Sequence, residues 1–277
     1  MTGYPLWKLA YGNRCRLSEL AYSSPRYGLQ VAAGTASICP TSHQKYQRVD
    51  TLTLYYTGTE WIYDAQGFAV IPEQQSPPLC CKGILLVERA TEANLRFVDK
   101  EYFIAEPREL KLFHNSLTPK LLKEIQSLTF VTNDAETIHI CGNTNEQYTF
   151  KLSDVTTIFH NVTTMIVENL KISEVWIQDL EMSPKSQLTS IRFDLREEQL
   201  KPFAPMQLIS FLHEQQQGFH ITFKETDVKI KQILDNLKHG LWDVGCSKTD
   251  DNGYDEIRRI TFLKDGHRET WHLPLVL

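Results

Sequence analysis

From residue 116 onward, two hydrophobic periodicities take turns along the chain. "SLTPKLLKEIQSL" offers Ser116 or Thr118 as an N-cap and Pro119 at the first helical position, with Leu121, Leu122 and Ile125 on one side. In "SDVTTIFHNV", Asp154 is the expected cap, and Val155, Ile158, Phe159 and Val162 follow the i, i+3, i+4, i+7 spacing of an amphipathic helix. The same spacing recurs in "KISEVWIQDL" (Ile172, Trp176, Ile177, Leu180), "APMQLISFLHEQQQ" (Leu208, Phe211, Leu212) and "TDVKIKQILDNLKHG" (Ile230, Ile233, Leu234, Leu237). Between these helices, "TIHIC", "TMIVE", "TSIRFDL", "FHITFKE" and "IRRITFL" alternate β-branched or aromatic residues with polar ones, which predicts strands.

Taking Ile140, Ile166, Ile191, Ile221 and Ile260 as equivalent inward positions gives steps of 26, 25, 30 and 39 residues. The first three steps suit strand-plus-helix units that bury their apolar faces by stacking on one another. The last step is lengthened by "DDNGYDE", whose Asn252-Gly253 pair is a strong turn former. The expected fold class is therefore α/β, a degenerate leucine-rich-repeat-like strand-helix solenoid, with a compact α/β sandwich of the same elements as the alternative. The segment "LTFVTNDAETIHICGNTNEQYTFKL" also fits an antiparallel meander, and the pattern leaves its pairing open.

Residues 46–115 read differently. "RVDTLTLYYTGTEWIYDAQGFAVIP" and "CKGILLVERATEANLRFVDKEYFIAE" are rich in Val, Tyr, Phe and Thr without helical periodicity, and the proline-marked "EQQSPPL" separates them. Strands and hairpins are expected, forming the first part of the same sheet or a cap on its end. Three regions follow: a helical segment over 1–45, a strand-rich capping region over 46–115, and the leucine-rich-like α/β region over 116–277.

Composition narrows the function classes. With 42% hydrophobic and 23% charged residues, the 277-residue chain is that of an ordinary folded protein. A formal charge of -5 argues against a nucleic-acid grip, which needs concentrated Lys and Arg. "MTGYPLWKLAY" shows no basic stretch leading into a continuous apolar one, and no run reaches the roughly 18 apolar residues of a membrane span. The expectation is a cytoplasmic or nuclear protein with no membrane partner. Six scattered cysteines form neither a disulfide framework nor a CxxC pair and are expected to be reduced and mostly buried.

Candidate chemistry is sparse. His139 and Cys141, two apart on a strand, share a face, which leaves a thiol-dependent hydrolase as an alternative with a distant base such as His160. A phosphate-binding Gly-rich loop, HExxH and GxSxG are all missing from the sequence. "KTDDNGYDE" lacks the ligand spacing of a calcium loop and reads as a solvated turn. Trp176, Trp242 and Trp271 sit in apolar patterns and are expected to pack, and His267 and His272 are expected at the surface. Asn161-Val162-Thr163 matches a glycosylation acceptor, but its use is not expected. No cofactor and no metal site are expected.

At the start of the chain, Leu6, Leu9, Leu17, Leu20, Tyr27, Leu29 and Val31 are too many apolar residues for an uncovered tail. They either cap the sheet or form a small helical module covered by a partner. Pro5-Leu6-x-x-Leu9, then "RCRLSEL", "SSPRYGLQVAAG" and "SICP", resembles a divergent F-box start as found in large nematode-type families, and "APMQLISFLHEQQQGFHITF" and "ETWHLP" are similar to their F-box-associated, leucine-rich-like regions. A typical F-box carries an adjacent Leu-Pro pair, whereas here Leu9 precedes Ala10. The resemblance implies a non-enzymatic interaction module: a substrate-recruiting adaptor of a Skp-cullin-type ubiquitin ligase, or an antidote-like protein that binds and neutralises a partner. It places Pro5, Leu6, Leu9, Leu17 and Leu20 against a Skp-type adaptor. A nucleic-acid-binding module is a further alternative, disfavoured by the charge.

Overall fold

The computed structural model describes residues 46–70, 78–100, 102–129, 135–181, 187–200, 203–224, 247–248, 258–264 and 267–272, with 9–10, 13 and 16–17 near the start. The expected alternation becomes a mixed α/β architecture dominated by one sheet. Its strands are β1 (Gln47–Tyr56), β2 (Trp61–Ala65), β3 (Phe68–Val70), β4 (Leu79–Glu88), β5 (Phe103–Ala105), β6 (Glu109–Asn115), β7 (Thr137–Asn143), β8 (Thr164–Glu168), β9 (Ser190–Asp194), β10 (His220–Lys224), β11 (Ser247–Lys248), β12 (Arg259–Lys264) and β13 (His267–His272). The spatial order is β11, β13, β12, β10, β9, β8, β7, β6, β4, β1, β2, β3, with β5 beside the first half of β4. From β1 to β12 the neighbours are parallel, and antiparallel strands close both ends. β7 pairs in parallel on both sides, which settles against the meander. β6 pairs with β4 on one side and β7 on the other, so the sheet runs through residue 115 without a break.

Parallel neighbours need crossovers, and among the described residues five helices lie in them: α1 (Glu92–Leu95), α2 (Pro119–Gln126), α3 (Leu152–Ile158), α4 (Trp176–Glu181) and α5 (Pro205–Glu214), while the connection from β1 to β4 contains the β2–β3 hairpin. Each helix touches the next in chain order. Thr118 caps α2 by accepting from the Leu121 amide, ahead of Pro119 in the first turn. Asp154 does not cap α3. Its carboxylate takes the Tyr148 hydroxyl instead, and Lys151 occupies the N-cap without a side-chain bond. The helix expected in "TDVKIKQILDNLKHG" lies outside the described residues. No helix among the described residues is long and apolar enough to cross a membrane.

Two cross-strand rows make the core. Leu52, Leu85, Leu110, Ile138, Met165, Ile191, Ile221 and Ile260 stand side by side, each fully buried. Two residues on, Leu54, Val87, Leu112, Ile140, Val167, Phe193, Phe223 and Phe262 form the second row, ending in a stack of three phenylalanine rings 5.4 and 5.9 Å apart. The expected equivalence holds for Ile191, Ile221 and Ile260 but not for the other two. Ile140 belongs to the second row, and Ile166 pairs with His139 and Arg192 on the opposite face, half-buried. A one-residue slip in register sends a side chain to the other face, and "MIV" allows either phase until Ile138 and Ile191 select Met165.

The units share more than their rows. Along the first row, from Leu110 to Ile260, the steps are 28, 27, 26, 30 and 39 residues. At three successive starts, two consecutive amides donate to one carbonyl of the preceding unit: Glu136 and Thr137 to Arg108, Thr163 and Thr164 to Glu136, Thr189 and Ser190 to Thr163. At each end the chain turns through a left-handed residue, Arg89, His114, Gly142 and Asn169 in four successive units, with φ of +57°, +53°, +67° and +48°. One residue later, the buried Asn115 accepts from the Ala90 amide (2.7 Å) and donates to the Val87 carbonyl (2.9 Å). Asn143 repeats the position and accepts from the Leu117 amide. An irregularity sits at the first unit, where Lys82 and Gly83 bulge opposite Asp50. A Cβ on Gly83 would lie 2.4 Å from the Asp50 carbonyl oxygen, so the bulge requires glycine.

An open sheet face as candidate functional site

Helices cover one side of the sheet. The residues that alternate with the buried rows therefore stand on the other, and in β7 these are Thr137, His139 and Cys141. Register places Lys111, His139, Ile166 and Arg192 in one line across the strands, and Phe113, Cys141, Glu168, Asp194 and Lys224 in the next. Sequence reading put His139 and Cys141 on one face, and so does the structure. It could not supply Glu168, Asp194 and Lys224, because their proximity depends on strand register rather than on spacing within a strand.

Glu168 and Asp194 sit side by side and would repel if unanswered. His139 Nε2 lies 2.9 Å from Glu168 Oε2, and its ring packs edge-on against Phe113 at 5.0 Å. Lys224 Nζ donates to Asp194 at 2.5 Å, and Arg192 approaches the same carboxylate at 4.0 Å. Burial pushes the Cys141 thiol above its usual pKa, and Glu168 and Asp194 push it further. A thiolate is thus disfavoured where a nucleophile would need it. His160 follows α3 on the helix side, its Nδ1 3.4 Å from the Thr156 carbonyl, and is not brought to Cys141.

A second polar pair was not foreseen. Ser190 Oγ lies 2.9 Å from His220 Nε2, on neighbouring strands. Burial, and then Arg259, holds the imidazole below its ordinary pKa, so it is neutral near pH 7. This is nucleophile-and-base geometry, but Ser190 is only 8% exposed, and the Thr189 and Ser190 amides are both committed to the Thr163 carbonyl. They offer no oxyanion donors there, and the pair acts as a fastening between strands. The aligned pieces "SIRF" and "HITF" held the clue, since each sets its polar residue immediately before an Ile-x-Phe core pair.

Two grooves open on the polar side and share Asp50. One, of about 870 Å³, runs along the strand starts past Lys82, Glu106, Arg108 and Glu136. The other, of about 900 Å³, lies over β1, β2 and β4 between Tyr55, Ile62, Asp64 and Glu88. Among the described residues no group of three His, Cys, Asp or Glu side chains is placed to hold a metal ion.

No family model, curated protein or solved structure matches this chain.

Of the residues expected to meet an adaptor, Leu9 is half-buried and Leu17 is 39% exposed, while Pro5, Leu6 and Leu20 lie outside the described residues. Trp176 and Trp271 pack in the core as expected; Trp242 and the turn "DDNGYDE" lie outside the described residues. His272, expected at the surface, is buried at 6% because β13 pairs with β11 on one side and β12 on the other. Cys80 and Cys81 are buried free thiols, and burial raises Cys81 to about 12.

Proposed function

We propose that this chain is a non-enzymatic protein-recognition scaffold, a degenerate leucine-rich-repeat-like solenoid whose open sheet face meets a protein partner. The observation that carries the reading is the repeat itself. Four successive left-handed turns and three shared-carbonyl starts recur at the same register, so each unit adds one more strand to a continuous face with alternating apolar and charged side chains. Such a face offers breadth rather than enclosure, which suits a macromolecule. The F-box-like segment then docks a Skp-type adaptor, and a partner held on the face is delivered for ubiquitin transfer.

The experiment is a paired binding assay on the full chain. Leu9→Ala with Leu17→Ala is expected to abolish capture of a purified Skp-type adaptor, and Ile166→Arg, at the centre of the face, to leave adaptor binding intact while abolishing capture of the recruited protein. Lack of adaptor binding by the unaltered chain, with face-dependent capture preserved, moves the function to binding and neutralising a partner. Capture unchanged by Ile166→Arg refutes the face as the recognition surface.

A further inference from the structure

Resting on that reading of the open face, we infer that its end over β1, β2 and β4 receives a basic protein segment, a Lys or Arg side chain with an apolar neighbour. Elsewhere on the face three carboxylates have partners from the fold: Asp194 has Lys224, Glu109 has Lys111 at 3.3 Å, and Glu168 has the His139 imidazole. Over β1 the balance changes. Asp64 and Glu88 stand beside Thr53 and Tyr55 on the two strands flanking β1, so their walls are roughly 10 Å apart, two strand spacings. Asp50 adds a third carboxylate, and among the described residues no Lys or Arg lines the groove.

The groove's own contacts offset only part of this charge. Asp64 accepts the Gly67 amide at 2.8 Å, a neutral donor fixing the β2–β3 turn. Glu88 has Arg89 at 3.9 Å, beyond hydrogen-bond reach. That guanidinium instead donates to the Tyr55 hydroxyl at 2.6 Å and lies 5.0 Å from the ring centroid. Tyr55 is thereby engaged by Arg89, and Ile62, 37% exposed, supplies apolar surface beside it. A basic side chain entering between Asp64 and Glu88 gains two carboxylates, with Ile62 placed for an aliphatic or aromatic neighbour. Acidic segments and nucleic acid meet repulsion at the same place.

The test uses the intact chain and a phage-displayed library of random peptides. Enriched peptides are expected to carry Lys or Arg beside an aromatic or aliphatic residue. Their affinity, read by fluorescence anisotropy with synthetic copies, is expected to fall about tenfold or more in Asp64→Asn/Glu88→Gln and to weaken as salt is raised. The carboxamide that replaces the Asp64 carboxylate keeps an acceptor oxygen for the Gly67 amide, and a thermal melt matching the unaltered chain verifies folding. Enrichment of acidic or uncharged peptides, no enrichment, or basic peptides indifferent to the double variant each overturn the inference. Binding lost in Ile166→Arg but unchanged in the double variant refutes the basic segment while leaving the open-face reading standing, and binding indifferent to both refutes the two together.

Discussion

Burial makes His220 a group whose protonation opposes folding. Its pKa in the folded chain is depressed by desolvation first, then by Arg259 and, more weakly, Arg268, whereas the unfolded chain titrates near the ordinary value of about 6.5. The unfolded state therefore binds the proton first as pH falls. The stability due to a neutral His220 is present above about pH 6.5 and is lost as pH drops through the folded value. Melting temperatures recorded from neutral to mildly acidic pH are expected to fall more steeply for the unaltered chain than for His220→Gln; parallel curves would refute this. Cys141 gives the second test at this scale. Because Glu168 raises its thiol pKa after burial, Glu168→Gln is expected to speed alkylation of Cys141 by iodoacetamide near neutral pH, and an unchanged rate would count against that electrostatic account.

Among the elements, the turn between strand and crossover is the most specified piece. Replacing Asn115 by Ala strips a buried acceptor from the Ala90 amide and a donor from the Val87 carbonyl, at an expected loss of ~1–3 kcal/mol in denaturant unfolding. Asn143→Ala should cost less, since that residue is only half-buried and water can substitute. Most strands were legible, and so were four of the crossovers, since caps, prolines and apolar spacing are local, but no strand was read in β6 and no helix in the segment that holds α1. The asparagine turn was also written in the chain, as "LKLFHN" and "IHICGN", two Leu/Ile-x-Leu/Ile-x-x-Asn runs. A search for the full consensus passes over them, because the unit after β8 puts Leu170 where the asparagine stood. What sequence could not decide was register. Three successive apolar residues in "MIV" support two phases, and only pairing with both neighbours chooses one. Ile191→Ala is accordingly expected to cost ~2–5 kcal/mol and Ile166→Ala clearly less.

Across the whole molecule, stability should be graded along the sheet, because a strand gains from neighbours on both sides and, among the described residues, each helix packs chiefly on the helices next to it in sequence. Amide exchange is expected to be slowest in β7, β8 and β9 and fastest in the β2–β3 hairpin at one end; uniform protection would contradict this. The candidate site follows the same geometry. Of its members only His139 and Cys141 were singled out in the sequence; Glu168 and Asp194 join them because the face exists only once strands separated by 26 to 30 residues lie side by side.

The repeated carbonyl-sharing start makes the chain a ruler with interchangeable segments. Thr164 and Ser190 occupy one register position, each followed by a core residue, Met165 or Ile191. Excising 165–190 joins Thr164 to Ile191 in phase, lets β9 take the place of β8 beside β7, and removes α4 with its strand. Length in this architecture changes by whole steps, so a binding face can be lengthened or shortened by duplication or loss of a unit while the junctions, the turns and the outward phase of every remaining residue stay as they were.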